Sequence, residues 1–170
     1  MPLLDVLKAD WRANRDDARI VIVMTLFRVA RAARGTGPRP RRWSLPLIAL
    51  YKVLVAWVFT IDLPLGVQVG PGLRLQHAYG LVVHPATVIG ARCTIYHGVT
   101  LGIARASDAH GPVIGDRVTV SAGASVFGPV RVGDRAMIAA GAIVLSDVPA
   151  EHTAIGAPAK ARPSKLKPAP

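Results

Sequence analysis

Residues 114–144 read IGDRVTVSAGASVFGPVRVGDRAMIAAGAIV, and this run decides the fold. An aliphatic residue returns at every sixth position: Ile114, Val120, Val126, Val132, Ile138 and Val144. Four places after these stand compact residues, Val118, Ala124, Val130, Ala136, Ala142 and Val148. A period of six is neither the 3.6 of a helix nor the 2 of an alternating strand. Short strands joined by tight corners account for it. Each hexad makes one flat side of a coil, and its aliphatic residue points inward onto its copy one coil away, about 4.8 Å distant. The compact residue fits where the interior narrows. Glycine follows the aliphatic residue at Gly70, Gly90, Gly115 and Gly133, where it is expected to permit corner dihedrals that a Cβ resists. Three sides close a triangular prism, so one coil takes about eighteen residues.

The same phase extends upstream through Val83, Ile89, Ile95 and Leu101. Two residues out of step, it continues through Leu63, Val69, Leu75 and Leu81. The compact positions here are Val67, Thr87, Cys93 and Val99, with Leu73 and Tyr79 as large exceptions. Residues 62–156 are therefore expected to form a mainly β, parallel solenoid of about four to five coils. One loop, Ile103–Val113, interrupts the repeat. Composition agrees: of 170 residues 51% are hydrophobic but only 5% aromatic, with 16 Gly and 14 Pro. That apolar content excludes a disordered chain, and the lack of bulk suits a narrow interior. The single cysteine, Cys93, excludes an internal disulfide and a cysteine-built zinc site, and fits a reducing compartment. Its inward register marks it as a small buried side chain rather than a nucleophile.

Residues 1–61 read as a helical region. Apolar residues at helical spacing and an Arg28, Arg31, Arg34 stripe predict a helix over residues 3–34. Asp5 and Asp10 near its start suit the helix dipole. Gly35–Arg42 breaks it. Ser44–Ile61 (SLPLIALYKVLVAWVFTI) is then strongly apolar around Lys52. It predicts a helix buried against its own chain or a partner chain. The runner-up is a peripheral membrane contact through residues 35–61, its entry marked by Arg39, Arg41, Arg42 and Trp43. Net charge is +11: +7 lies in residues 1–61, +4 in a basic tail over residues 157–170, and the middle is neutral. On charge alone this reads first as a solubilising surface; an anionic partner would be met at the two ends. The first residues show no basic region, apolar run and small-residue cleavage site, so the expectation is a cytoplasmic protein, with a peripheral place at the membrane's inner face under the runner-up.

Proton transfer at a reacting hydroxyl needs a base near neutral pH, a group to orient it, and donors for the charge that develops. Histidine supplies the first, a carboxylate the second. Five histidines are present, at 77, 84, 97, 110 and 152. His77 follows Asp62 by fifteen residues, nearly one coil, so the two side chains can meet at adjacent corners. His97 follows His77 by twenty and is expected on the same prism edge, either lining an acceptor pocket or as a partly buried polar neighbour. His110 lies in the interrupting loop, and loops leaving a solenoid usually carry a site or an interface. His84 and His152 read as ordinary polar residues. The histidine gaps do not match a His-x4-His metal pair, so no metal is expected.

The repeat, the preceding apolar helix and the stretch WRANRDDARIVIVMTLFRVAR resemble the hexapeptide-repeat acyltransferases, within them the serine acetyltransferases and the related colanic-acid-type polysaccharide O-acetyltransferases. That resemblance implies a left-handed parallel β-helix, a homotrimer with sites between neighbouring prisms, and acetyl-CoA as acyl donor. Carried onto matching positions, His77 of His77-Ala78-Tyr79-Gly80 is the base, Asp62 orients it, and His110 contacts the donor and polarises its carbonyl. Gly102, Ala122, Gly123, Ala139 and Ala140 line the groove for the carrier, and Lys160 and Arg162, after the Gly156-Ala157-Pro158-Ala159-Lys160 ending, face its phosphates. Serine-using members have Asp before the base histidine and Arg before the loop histidine. Gln76 and Ala109 stand there instead, and Arg105 would have to substitute. A zwitterion without paired charges binds poorly, whereas Gln76 suits neutral hydroxyls. The expected acceptor is therefore a hydroxyl of a sugar or polysaccharide precursor, with serine as the alternative. A non-catalytic scaffold and a metal enzyme on the same frame rank lower. No nucleic-acid partner is expected, since no exposed base-stacking aromatics are evident.

Overall fold

The computed structural model describes residues 1–35, 37, 39–105, 107 and 109–164. The N-terminal region holds two helices where one is expected, α1 (Leu3–Ala13) and α2 (Ala18–Arg34). The break comes where Asp17 turns its carboxylate onto the free N–H groups of Arg19 and Ile20, at 3.0 and 3.3 Å, and so caps α2. A short turn, Arg42–Ser44, leads into α3 (Leu45–Tyr51), which runs on as a π-helical segment, Lys52–Val58. Only one face of this unit is buried, through Tyr51 and Val55, and the Tyr51 ring lies 6.2 Å from that of Phe27 on α2. The apolar run is thus a helix packed on its own chain along one side, as expected, with its other side open in the single chain.

From Ile61 the chain winds as a solenoid. The first coil is β1 (Ile61–Asp62), β2 (Gln68–Val69) and β3 (Arg74–Gln76), and the second β4 (Leu81–Val83), β5 (Val88–Ile89) and β6 (Thr94–Tyr96). The third is β7 (Thr100–Gly102), β8 (Val113–Ile114) and β9 (Thr119–Val120). The fourth is β10 (Ser125–Phe127), β11 (Arg131–Val132) and β12 (Met137–Ile138), and β13 (Ile143–Val144) opens a last, partial coil. Like sides stack into three sheets: β1-β4-β7-β10-β13 (sheet A), β2-β5-β8-β11 (sheet B) and β3-β6-β9-β12 (sheet C). All these pairs are parallel, with Ile61 opposite Leu81 and Val82 opposite Thr100. The first coil advances 20 residues and the second 18, as the two-residue offset near Leu81 predicts. The third takes 25 because the 103–112 loop is spliced into it. Sheet C ends in β14 (His152–Gly156), parallel to β12, and β15 (Ala159–Pro163), antiparallel to β14.

The hexad reading holds inside. All fourteen in-phase aliphatic residues are buried except Val69, which is partly so, and the compact positions are buried beneath them. At the first corner Ala78 takes the inward place and Tyr79 turns out to solvent. The glycines after the aliphatic residues act differently from expectation. Their φ angles are not positive; a Cβ on Gly90 would lie 2.5 Å from the Gly115 carbonyl oxygen, and one on Gly133 2.4 Å from the Ala150 nitrogen. They are glycines because successive coils touch there. Left-handed φ falls elsewhere, at Gly72, Gly80, Gly98, Gly123 and Gly141 and at Arg92, Arg117 and Arg135.

The two helices close the open end of the first coil, whose strands would otherwise present unpaired backbone. Arg28 donates to the carbonyls of Val69 and Gly70 at 2.7 and 2.6 Å. Arg31 donates to the Val67 carbonyl and the Tyr51 hydroxyl to that of Leu63. Asn14 donates to the Leu73 carbonyl and accepts from Leu75 N–H. Two arginines of the helical stripe, Arg28 and Arg31, therefore serve as a cap, and burial next to Arg28 and Arg34 lowers the Arg31 pKa.

Candidate active site

The turns from sheet C into sheet A stack along one edge of the prism. On successive coils this edge carries His77–Gly80, His97–Gly98, Ala122–Gly123 and Ala140–Gly141. Backbone bonds hold the column: Gly98 N–H to Tyr79 O at 3.0 Å, Gly123 N–H to His97 O at 2.9 Å, and Gly141 N–H to Ala122 O at 2.9 Å. The register Gln76–Tyr96 puts His97 one coil from His77, as the spacing predicts. His77 is exposed and left-handed, with φ 50°. That conformation alone does not mark a site, since Arg92, Arg117 and Arg135 adopt it at another corner. His97 stacks on Tyr79, ring centroids 5.0 Å apart and planes within 20°, and its Nδ1 is buried with no partner. Sequence reasoning missed this pair. Its signal was the large residue at a compact position.

Gly80 N–H donates to the Thr60 carbonyl at 2.9 Å, so β1 starts at this same edge and Asp62 lies two residues past it. Asp62 faces out from β1 and lines a cleft of about 490 Å³ between the helices and the first coil, together with Arg34, Tyr51 and Lys52. Burial, reinforced by Asp62, pushes the Tyr51 hydroxyl pKa up. Asp62 makes no hydrogen bond to His77, so the expected pairing is not formed. β1 packs against the π-helical segment, and Asp62 opens into the cleft beside it. Gln76 is likewise engaged at home. With its amide oxygen turned to Arg74 it accepts from Nη2 at 2.7 Å and Nε at 3.0 Å, and Arg74 is paired to Asp16 at 2.7 Å. It does not reach toward an acceptor as expected. His110 and Ala109 are exposed on the loop between β7 and β8, at the corner joining sheets A and B, not the His77 corner. Arg105, on the same loop, lines a cavity of about 500 Å³ with Phe127 and Asp147. It is therefore away from the Gln76 edge of its own chain.

Along the His77 edge the third and fourth coils offer only small side chains. Ala122, Gly123, Ala139, Ala140 and Gly141 line it, and a Cβ on Gly123 or Gly141 would meet nothing within 4 Å. Gly102 lies apart, at the end of β7 against the Phe127 ring. The column ends at β15, where Lys160 opposes Ile155, next to the Ala154 carbonyl that accepts from Ala139 N–H. Lys160 and Arg162 are both exposed. From β3, which leads into His77, to β15 there are five strand spacings, about 24 Å. Cys93 is buried, and burial pushes its thiol up to about 11, which removes it as a thiolate nucleophile. Among the described residues no group of three or more His, Cys, Asp or Glu is gathered to hold a metal. Among the described residues no helix is long and apolar enough to cross a membrane.

A serine acetyltransferase of Mycobacterium tuberculosis is 31% identical over 164 residues, spanning 92% of this chain and 72% of that protein. The chain belongs to the serine acetyltransferase family of hexapeptide-repeat acyltransferases. The Helicobacter pylori serine acetyltransferase is 44% identical over 108 residues. The match covers 63% of each chain, so this protein spans under two thirds of that relative. Serine acetyltransferase from Brucella abortus, solved in complex with coenzyme A, superposes with a TM-score of 0.78 at 29% identity, covering 92% of this chain and 66% of that one. No family model matches the sequence. The solenoid is thus the left-handed β-helix of this family. The relatives' names favour serine, the alternative acceptor, over the sugar expected from Gln76 and Ala109.

Proposed function

We propose that this chain is an acetyl-CoA-dependent O-acetyltransferase whose acceptor is the hydroxyl of serine. The observation that carries the reading is the His77 edge: an exposed imidazole at the head of a column of small residues that ends at Lys160 and Arg162. A pantetheine arm fits such a groove, with its thioester toward His77 and its phosphates toward the two cations. His77 takes the acceptor's proton as its oxygen attacks the thioester carbonyl. The carbon–oxygen bond forms, the carbon–sulfur bond breaks, and the departing thiolate receives the proton from His77. His110 donates to the carbonyl oxygen as charge grows there. His77 and His110 occupy different corners of one prism, so a site holding both is built between two chains, which favours a homotrimer. Asp62 stabilises the imidazolium only after its side chain leaves the Lys52 cleft.

A second reading keeps the chemistry and changes the acceptor to a neutral hydroxyl of a sugar or polysaccharide precursor. It is favoured by Gln76 and Ala109, which leave both ends of a zwitterion unmatched, and by the exposed Tyr79 ring on His97, a flat surface for a sugar face. Thiol release from acetyl-CoA is the test, with serine and a panel of sugars and oligosaccharides, for wild type and His77→Ala. Serine-dependent release that falls about 10²–10⁴-fold in His77→Ala supports the first reading. The same loss with a sugar, serine being inert, moves the assignment to the second. Release indifferent to His77 overturns both.

A further inference from the structure

We propose that α3 and its π-helical extension dock this protein on an anionic lipid surface, lying in the membrane plane. Tyr51 and Val55 anchor one side of the unit to the first coil and α2. The opposite side is apolar and open. Trp57 is 83% exposed, Trp43 65% and Val53 54%, and Leu45 and Leu50 are about half exposed. An amphipathic helix that buries only half of its apolar residues leaves a patch that calls for a second medium.

Three features select lipid. First, residues 45–58 form a rod of about 21 Å, too short for a hydrocarbon core of about 30 Å, so the unit can lie on a bilayer but not cross it. Second, the two most exposed apolar side chains are tryptophans, one near each end, and tryptophan favours the headgroup boundary. Third, residues 35–61 carry Arg39, Arg41, Arg42 and Lys52 and no carboxylate, and the three arginines are exposed at the entry to the helix. Basic side chains beside a shallow apolar face match anionic headgroups. The inference does not depend on which hydroxyl is acetylated.

The test is co-sedimentation of the full chain with vesicles of phosphatidylcholine alone and of phosphatidylcholine with phosphatidylglycerol. Wild type is compared with Trp43→Ser/Trp57→Ser and with Arg41→Ser/Arg42→Ser. Sedimentation velocity and circular dichroism of each report assembly and folding. These side chains are exposed, so the variants fold. Wild type is expected on the anionic vesicles, with affinity about tenfold or more lower on neutral ones and for each double variant, and weakened by salt. Three results overturn the proposal: folded wild type that stays in the supernatant, a tryptophan variant that binds as wild type does, or a tryptophan variant that dissociates into smaller species with vesicle binding unchanged. The last assigns the face to a second copy of the chain.

Discussion

Asp10 Oδ2 accepts a hydrogen bond from Arg28 Nε at 2.7 Å, and both side chains are buried. The other carboxylate oxygen accepts from the N–H groups of Gly72 and Leu73 at 2.8 and 3.2 Å. This one pair therefore ties α1 to α2 and both to a corner of the first coil. Removing the carboxylate leaves a buried guanidinium without its counter-charge. Asp10→Ala is expected to lower unfolding free energy by about 3–5 kcal/mol, read from urea denaturation. With Asp10 in place, Arg28→Lys is expected to destabilise as well, since a single ammonium cannot serve Asp10 and two carbonyls as a planar fork does. A loss under about 1 kcal/mol would mean that the cap is dispensable.

The repeat was legible in the sequence because the solenoid interior has one dominant rule, an aliphatic residue every sixth position, and nearly every residue from Leu63 to Val144 that obeys it is buried. The cap was not legible. Asp10, Asn14 and Arg28 pair with backbone groups about 40 to 60 residues away, and nothing in a helical spacing announces which backbone an arginine will meet. The catalytic edge was half legible. Register alone carries His97 to His77, but spacing and motif do not show that Asp62 lines a cleft against the helices or that Arg74 takes the Gln76 amide oxygen.

The glycines separate into two classes with different expected costs. A Cβ on Gly90 would lie 2.5 Å from the Gly115 carbonyl oxygen and 2.6 Å from its carbon, in the backbone of the next coil. Gly90→Ala must push coils apart and is expected to cost about 3 kcal/mol, the upper end for overpacking. Gly123 has open space but φ +67°. Gly123→Ala incurs only the left-handed penalty of about 1–2 kcal/mol. Thermal unfolding of both variants checks the order. Equal losses would show that coil contact is not what selects glycine after the aliphatic residue.

Cys93 predicts an alkaline weakness. Its Sγ lies 3.0 Å from the Gly115 carbonyl oxygen, and burial, aided by Asp116 and Asp134, pushes the thiol up to about 11. The folded chain then keeps a proton that the unfolded chain releases near pH 8.5. Rising pH favours the unfolded state across that interval, so about 3 kcal/mol present below about pH 8.5 is lost as pH climbs to about 11. Cys93→Ala removes that slope. Denaturation curves at pH 8, 9.5 and 11 would reveal it, and a wild-type profile as flat as the variant's would refute the buried-thiol account. At pH 8 the native thiol should also resist a disulfide reagent that reacts freely after denaturation.

His77 and His110 project from different prism corners, which gives the between-chain site a sharp test. His77→Ala and His110→Ala should each be nearly inactive as pure assemblies. When the two are mixed, unfolded and refolded together, some interfaces pair a chain carrying His77 with a neighbour carrying His110. Random assembly from equal amounts makes roughly a quarter of the interfaces complete, so roughly a quarter of wild-type thiol release should return. A site contained within one chain returns nothing on mixing, because each chain still lacks one histidine. Recovery therefore requires that neighbouring chains share the site, and its absence from correctly refolded mixed oligomers would place the loop histidine outside the reaction His77 serves.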